Sequence, residues 1–150
     1  MKNDKCTYVE NRKAKFNYYV LDTYTAGISL TGSEVKSIRD SRVNLSESYC
    51  IFVNNELILK NCNITKYGNY VFTREENADR KLLLTKKELK KLKKESEITG
   101  NTIIPLTIII PEYGYIKVKI GLCKGKHNYD KRETIKNRDL ERENKNYNIN

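Results

Sequence analysis

The stretch "TIIPLTIIIPEYGYIKVKIGLC", Thr102–Cys123, decides the reading of the fold. Ile108 and Ile110 run into Pro111–Gly114, and beyond that turn Ile116, Val118 and Ile120 alternate with Tyr115, Lys117 and Lys119. Apolar residues at a period of two, broken by proline and glycine, predict two antiparallel strands joined as a hairpin. One face of the second strand is aliphatic and the other carries Tyr115 and the two lysines.

Similar patterns lie on either side. "SYCIFVNNELILKN" predicts a second hairpin, Tyr49–Val53 and Glu56–Lys60 around an Asn54-Asn55 turn. "KFNYYVLDTY" (Lys15–Tyr24) alternates Phe16, Tyr18 and Val20 with Asn17, Tyr19 and Leu21, a strand covered in part on both faces. Ala26-Gly27 is expected to turn the chain before "ISLT" resumes with Ile28 and Leu30 inward. Residues 1–13 are polar and expected to be loose. Strand-like pieces continue through "CNITKYGNYVF".

Two helices are expected. In "TGSEVKSIRDS", Thr31 stands three residues before Glu34 as a capping box, with Val35 and Ile38 on the buried side. "TKKELKKLKKESEITG" repeats the signal with Thr85 and Glu88, buries Leu89 and Leu92, and closes near Gly100. Leu82, Leu83 and Leu84 are expected to extend its apolar side backward, and the Lys86–Lys94 run to form a solvated face. Six or so short strands with two helices give an α+β, mainly β class. At this length, closure into a small antiparallel oligonucleotide-binding (OB-fold) barrel removes the exposed strand edges.

The chain divides at Lys124. Residues 124–150 hold eight Lys/Arg, five Asp/Glu and only three aliphatic side chains, Ile135, Leu140 and Ile149. Ile135 and Leu140 are five apart, which makes no helical stripe, and Arg132/Lys136 and Arg138/Arg142 set like charges one turn apart. Such a tail is expected to be disordered until bound. It carries +3 of the chain's net +10, leaving +7 on the 1–123 body. Basic charge on both parts points to a polyanion.

Other chemistries find less support. Cys6, Cys50, Cys62 and Cys123 are scattered without a C-x-x-C pair, and His127 is the sole histidine, so no metal or cofactor is expected. Unpaired thiols and the absence of an apolar N-terminal segment fit a cytoplasmic protein, with no membrane partner. Asp22…Glu34-x-Lys36 matches the carboxylate-and-lysine pattern of metal-dependent nucleases. Such carboxylates normally sit on a strand, whereas "GSEVKSIR" reads as a helix, which favours a capping or ion-pair role for Glu34. No nucleophile–base pair is present, so no catalytic residue is assigned. Eleven tyrosines, several beside lysine as in Tyr18/Tyr19 with Lys15 and Tyr115 with Lys117, offer stacking platforms, although most are expected to be sheet residues.

Three blocks, "AGISLTGSEVKSIRDSRVNLSESY" (Ala26–Tyr49), "RKLLLTKKELKKL" (Arg80–Leu92) and "GYIKVKIGLCKGKHNYDKRETIKNRD" (Gly114–Asp139), resemble the SsrA-binding protein family, small protein B. The likeness runs in order from about Asn11 to Arg142. It implies an OB-fold barrel that binds the tRNA-like domain of transfer-messenger RNA and delivers it to stalled ribosomes in trans-translation. Protein and RNA would together imitate a tRNA, with the protein expected to act as a monomer. By the same resemblance, Glu34, Lys36, Ser37 and Arg39 fall in one RNA-binding block, and Lys119, Lys124, Gly125 and Lys126 in another. Asp130, Lys131, Arg132, Lys136, Arg138 and Asp139 match the tail motif, which in the family forms a helix in the empty mRNA channel of the small subunit, near the decoding region. Many members carry histidine and aspartate where this chain has Phe16-Asn17, leaving stacking as the contact Phe16 can make. His127 stands where lysine is usual, and the end beyond Arg142 is short and asparagine-rich. The alternatives are a general OB-fold nucleic-acid-binding or ribosome accessory protein and, behind it, the nuclease.

Overall fold

The computed structural model describes residues 6–66, 75–126 and 132. Its elements are β1 (Cys6–Glu10), α1 (Arg12–Asn17), β2 (Tyr18–Ile28), α2 (Gly32–Arg39), β3 (Val43–Asn44), β4 (Tyr49–Val53), β5 (Glu56–Lys60), β6 (Asn63–Ile64), β7 (Arg80–Leu83), α3 (Lys86–Ser96), β8 (Asn101–Pro111) and β9 (Lys117–Gly125).

The expected hairpin is β8 and β9, antiparallel from Asn101↔Lys124 to Ile109↔Lys117. From β8, pairing passes through β4, β5, β7 and β2 to β9, and β9 returns it to β8. Alternation works as predicted on β9: Val118 and Ile120 are buried and Lys117 and Lys119 exposed. The inward side chains of the circuit, including Ala26, Cys50, Leu57, Leu59, Leu82, Ile103 and Ile108, form one core with Ile38 of α2 and Leu92 of α3. The β4–β5 hairpin also forms as expected, with Asn54 (φ 51°) and Asn55 (φ 64°) in the left-handed region that a tight two-residue turn demands.

Four expectations are corrected. The expected loose N-terminus forms β1, paired with β8 from Cys6↔Pro111 to Glu10↔Thr107. β4 meets β8 at Cys50↔Ile103, so the rest of that β8 edge is open to another strand, and backbone bonds hold β1 without much burial. The expected turn at Ala26-Gly27 is continuous strand, with Gly27 paired to both Leu83 and Lys117. Glycine serves close approach here, since a Cβ on Gly27 would stand 3.3 Å from Leu83 Cβ. The strand begins at Tyr18, Lys15–Asn17 belonging to α1, and a bulge between Val20 and Asp22 shifts the alternation so that Tyr24 and Ala26 face inward. Finally, Leu82 and Leu83 do not extend α3. They alternate on β7, Leu82 buried and Leu83 exposed.

Both capping boxes form, at Thr31/Glu34 and Thr85/Glu88. Glu34 does more than cap. Its Oε1 accepts the Thr31 N–H at 2.9 Å, while Oε2 accepts Nε and Nη2 of Arg80 at 2.7 and 2.5 Å. Arg80 Nη1 donates to the carbonyls of Cys62 (2.7 Å) and Ala78 (3.0 Å), and Nη2 to Glu76 (3.1 Å). Both side chains have zero exposure. A buried charge without its partner is costly, so each holds the other in place. Asn11 is a second buried anchor: Nδ2 donates to Leu45 O (3.2 Å) and Pro105 O (2.9 Å), fixing the start of α1 against β8.

Glu34→Ala or Arg80→Met is expected to destabilise the protein by about 3–5 kcal/mol in chemical denaturation, because each strands a buried charge. Glu34→Leu combined with Arg80→Met is expected to lose less than either single change. A Glu34→Ala midpoint equal to that of the unchanged chain would contradict the assignment. In thiol labelling of the folded protein, part-exposed Cys6 is expected to react and buried Cys50, Cys62 and Cys123 only on unfolding.

Candidate nucleic-acid interface

Because β7, β2 and β9 are neighbours, their outward side chains form one surface. Thr25 of β2 lies opposite Lys119, and Gly27 lies between Leu83 and Lys117. Lys117 and Lys119 have no ion pair among the described residues, while Lys81 at the margin meets Glu56 at 3.1 Å. Leu83 is 52% exposed on this face. The turn between β8 and β9 adds Tyr113 and Tyr115, 86% and 90% exposed. Arg39 fixes this turn from α2: Nη1 donates to Pro111 O at 2.8 Å and Nη2 to Gly114 O at 3.1 Å. Lysine charge and an exposed leucine on one sheet face, with open tyrosine rings in the adjoining turn, suit phosphates and unpaired bases.

A second basic cluster lies at the far end of β9. Lys124 pairs across from Tyr19, and Gly125 from Tyr18. Lys126 donates its backbone N–H to Asn17 O at 2.9 Å, and its ammonium reaches Lys15 O at 3.2 Å. The same ammonium lies 4.9 Å from the centre of the Tyr19 ring. The chain just beyond β9 is therefore fastened to α1, the element that carries Phe16 and Asn17. From Lys119 to Lys124 is roughly 17 Å at strand rise, so the two clusters are separate.

The sequence-derived residues thus divide by burial. Lys36, Arg39, Lys119, Lys124 and Gly125 are exposed and Lys126 half-buried, whereas Glu34 and Ser37 have zero exposure. Both carboxylate oxygens of Glu34 are engaged inside the protein, and Ser37 Oγ is buried without a hydrogen-bond partner among the described residues. Arg132 is exposed, while Asp130, Lys131, Lys136, Arg138 and Asp139 lie outside the described residues. Sequence reading gave Arg80 and Asn11 no role and placed Leu83 on the apolar side of α3. For Arg80 a cue existed: it is in phase with inward Leu82 at a period of two.

The nuclease pattern does not assemble into a metal site. Asp22 meets Lys91 at 3.6 Å and accepts the Thr23 N–H, while the oxygens of Glu34 serve Arg80 and the helix cap. Among the described residues no three His, Cys, Asp or Glu side chains could hold a metal ion. Burial pushes the Cys62 and Cys123 thiols up to about 11 and that of Cys50 further, so these sulfurs stay protonated and unreactive near neutral pH. Tyr24 is a core residue, its hydroxyl pushed up to about 12 by burial first and then by Asp22 and Glu95.

Comparison with known proteins gives a consistent answer. The family described as SmpB protein matches residues 8–149. An SsrA-binding protein of Christiangramia forsetii is 50% identical over 135 residues, 89% of this chain and 86% of the relative. One of Flavobacterium johnsoniae is 49% identical over 141 residues, 93% of each chain. One of Ligilactobacillus salivarius is 51% identical over 136 residues, 89% of this chain and 86% of the relative. Among solved structures, one described as "tmRNA-SmpB: a journey to the center of the bacterial ribosome" superposes with a TM-score of 0.68 at 40% identity, covering 85% of this chain and 94% of that one. The chain belongs to the SmpB family.

Proposed function

We propose that this protein is the RNA-binding adaptor of trans-translation. It binds the tRNA-like domain of transfer-messenger RNA and brings it to stalled ribosomes, protein and RNA together standing in for a tRNA. The observation that carries this reading is the outer face of β7, β2 and β9, where Lys117, Lys119 and exposed Leu83 share one surface beside the turn that exposes Tyr113 and Tyr115. Relatives named for SsrA binding and a likeness to a tmRNA–SmpB structure support the identity of the RNA. The ring of strands is the OB-fold barrel, and the 1–123 body is the RNA-binding unit. The adaptor acts by holding, without catalysing a reaction of its own, and works as a cytoplasmic monomer. No helix among the described residues is long and apolar enough to cross a membrane.

Within this reading the RNA-binding block divides its labour. Glu34 and Ser37 act from inside, holding α2 so that Arg39 can fix the turn, while Lys36 and Lys119 face the RNA. Lys124, Gly125 and Lys126 set the direction in which the tail leaves α1. Residues 124–150 then run into the empty mRNA channel, where phosphates neutralise Lys131, Arg132, Lys136 and Arg138 and allow helix formation. Phe16 stacks where other members place histidine.

Lys117→Gln with Lys119→Gln is expected to weaken binding of the tRNA-like domain and to reduce its log–log salt slope by ~1.4–1.8, at ~0.7–0.9 per phosphate contact. The exposed sites leave the denaturation midpoint unchanged. An unaltered slope would move the RNA off this face. Leu83→Gln is expected to lower affinity at all salt concentrations alike, because the contact it removes is apolar. Ile135→Pro is expected to spare RNA binding by the body but abolish rescue of stalled ribosomes, since an interior proline costs a helix ~3 kcal/mol. Full rescue activity in that variant would make the tail a flexible electrostatic anchor.

A further inference from the structure

α3 carries lysine at positions 86, 87, 90, 91, 93 and 94, and its solvated-face reading does not account for the shape of its surroundings. One flank of the helix closes a groove of about 470 Å³ against the Asn54-Asn55 turn of the β4–β5 hairpin. Lys86, Lys90, Lys93 and Lys94 line it, with Asn55 and Leu89. Lys93 donates to Asn55 Oδ1 and so ties helix to turn. The nearby acids are mostly committed elsewhere. Glu88 is held in the helix cap, and Lys91, outside the groove, takes Asp22 (3.6 Å) and Glu95 (4.0 Å). Glu97 is the single carboxylate of the lining, against four lysines. Lys86, Lys90 and Lys94 have no ion pair among the described residues.

The spacing identifies the ligand chemistry. Lys86, Lys90 and Lys94 form one row at i, i+4 and i+8, about 5–6 Å between successive Cβ atoms. That separation is similar to the distance between neighbouring phosphates on a nucleic-acid strand. Each like-charged pair costs the free helix a few tenths of a kcal/mol, a cost that a bound polyanion removes. A protein partner would need apolar anchors, and Leu89 alone is a poor one. We propose that this groove is a second RNA-backbone site, which grips the phosphates of a structured RNA strand independently of the β7–β2–β9 face.

The test uses the full-length protein and a short RNA duplex without tRNA-like features, titrated by fluorescence anisotropy over a range of salt. Lys86→Gln/Lys90→Gln/Lys94→Gln is expected to lower the salt slope by ~2.1–2.7, and Lys90→Gln alone by ~0.7–0.9. The corresponding triple arginine variant is expected to keep the slope. Circular dichroism is expected to show α3 intact, since the glutamines relieve repulsion. An unchanged slope in a folded triple variant would overturn the proposal. So would displacement of the duplex by polyglutamate at equal charge, which would mark an acidic-protein site. Lys117→Gln/Lys119→Gln is expected to leave the groove's share of duplex binding in place, and loss of all duplex binding there would also overturn it. Failure of the groove therefore reads out separately from failure of the outer face.

Discussion

The buried pair of Glu34 and Arg80 is the constraint on which the rest of the structure depends. Arg80 begins β7 at zero exposure and must find partners for its guanidinium N–H groups inside the protein. It finds Glu34 on α2 and the carbonyls of Cys62, Glu76 and Ala78. One side chain thereby joins the helix, the end of the β5–β6 connection and the approach to β7. Glu34 completes the link by holding the first turn of α2 with its other oxygen. A hydrophobic pair of similar volume would fill the space, but it would not specify which helix meets which loop.

From that join the functional surface follows. With α2 seated, Arg39 at its last turn reaches the carbonyls of Pro111 and Gly114 and orders the turn that displays Tyr113 and Tyr115. β9 runs from this turn along the lysine-bearing face and ends where Lys126 is fastened to α1. A single strand thus connects the face proposed for RNA with the root of the tail proposed for the ribosome. On the proposed reading, β9 fixes where the second contact lies relative to the first.

Much of this was legible in the residues. The β8–β9 and β4–β5 hairpins and both capping boxes follow from local rules: period-two alternation, an Asn-Asn turn, and threonine three residues before glutamate. What failed were features decided at a distance. β1 looks like a polar leader because its place is set by backbone bonds to an open edge of β8, which leave little trace in side-chain polarity. Gly27 looks like a turn because glycine's close-packing use, here against Leu83, depends on a strand more than fifty residues away. Leu82–Leu84 read as helix because three leucines before a strong helix mask a strand of four residues. Of the proposed site, the charged residues were picked out by type and by family likeness, and the fold adds which of them are exposed. Burial of Glu34 and Ser37, and the part played by Arg80, became visible only with the fold.

The central claim is that the ordered outer face selects one structured RNA and does not hold nucleic acid indiscriminately. Sequencing the RNA that co-purifies with the native full-length protein tests this most directly. The account predicts that transfer-messenger RNA dominates the bound pool far beyond its cellular abundance. A pool that mirrors the abundance of total cellular RNA would contradict it and leave a general nucleic-acid-binding protein in its place.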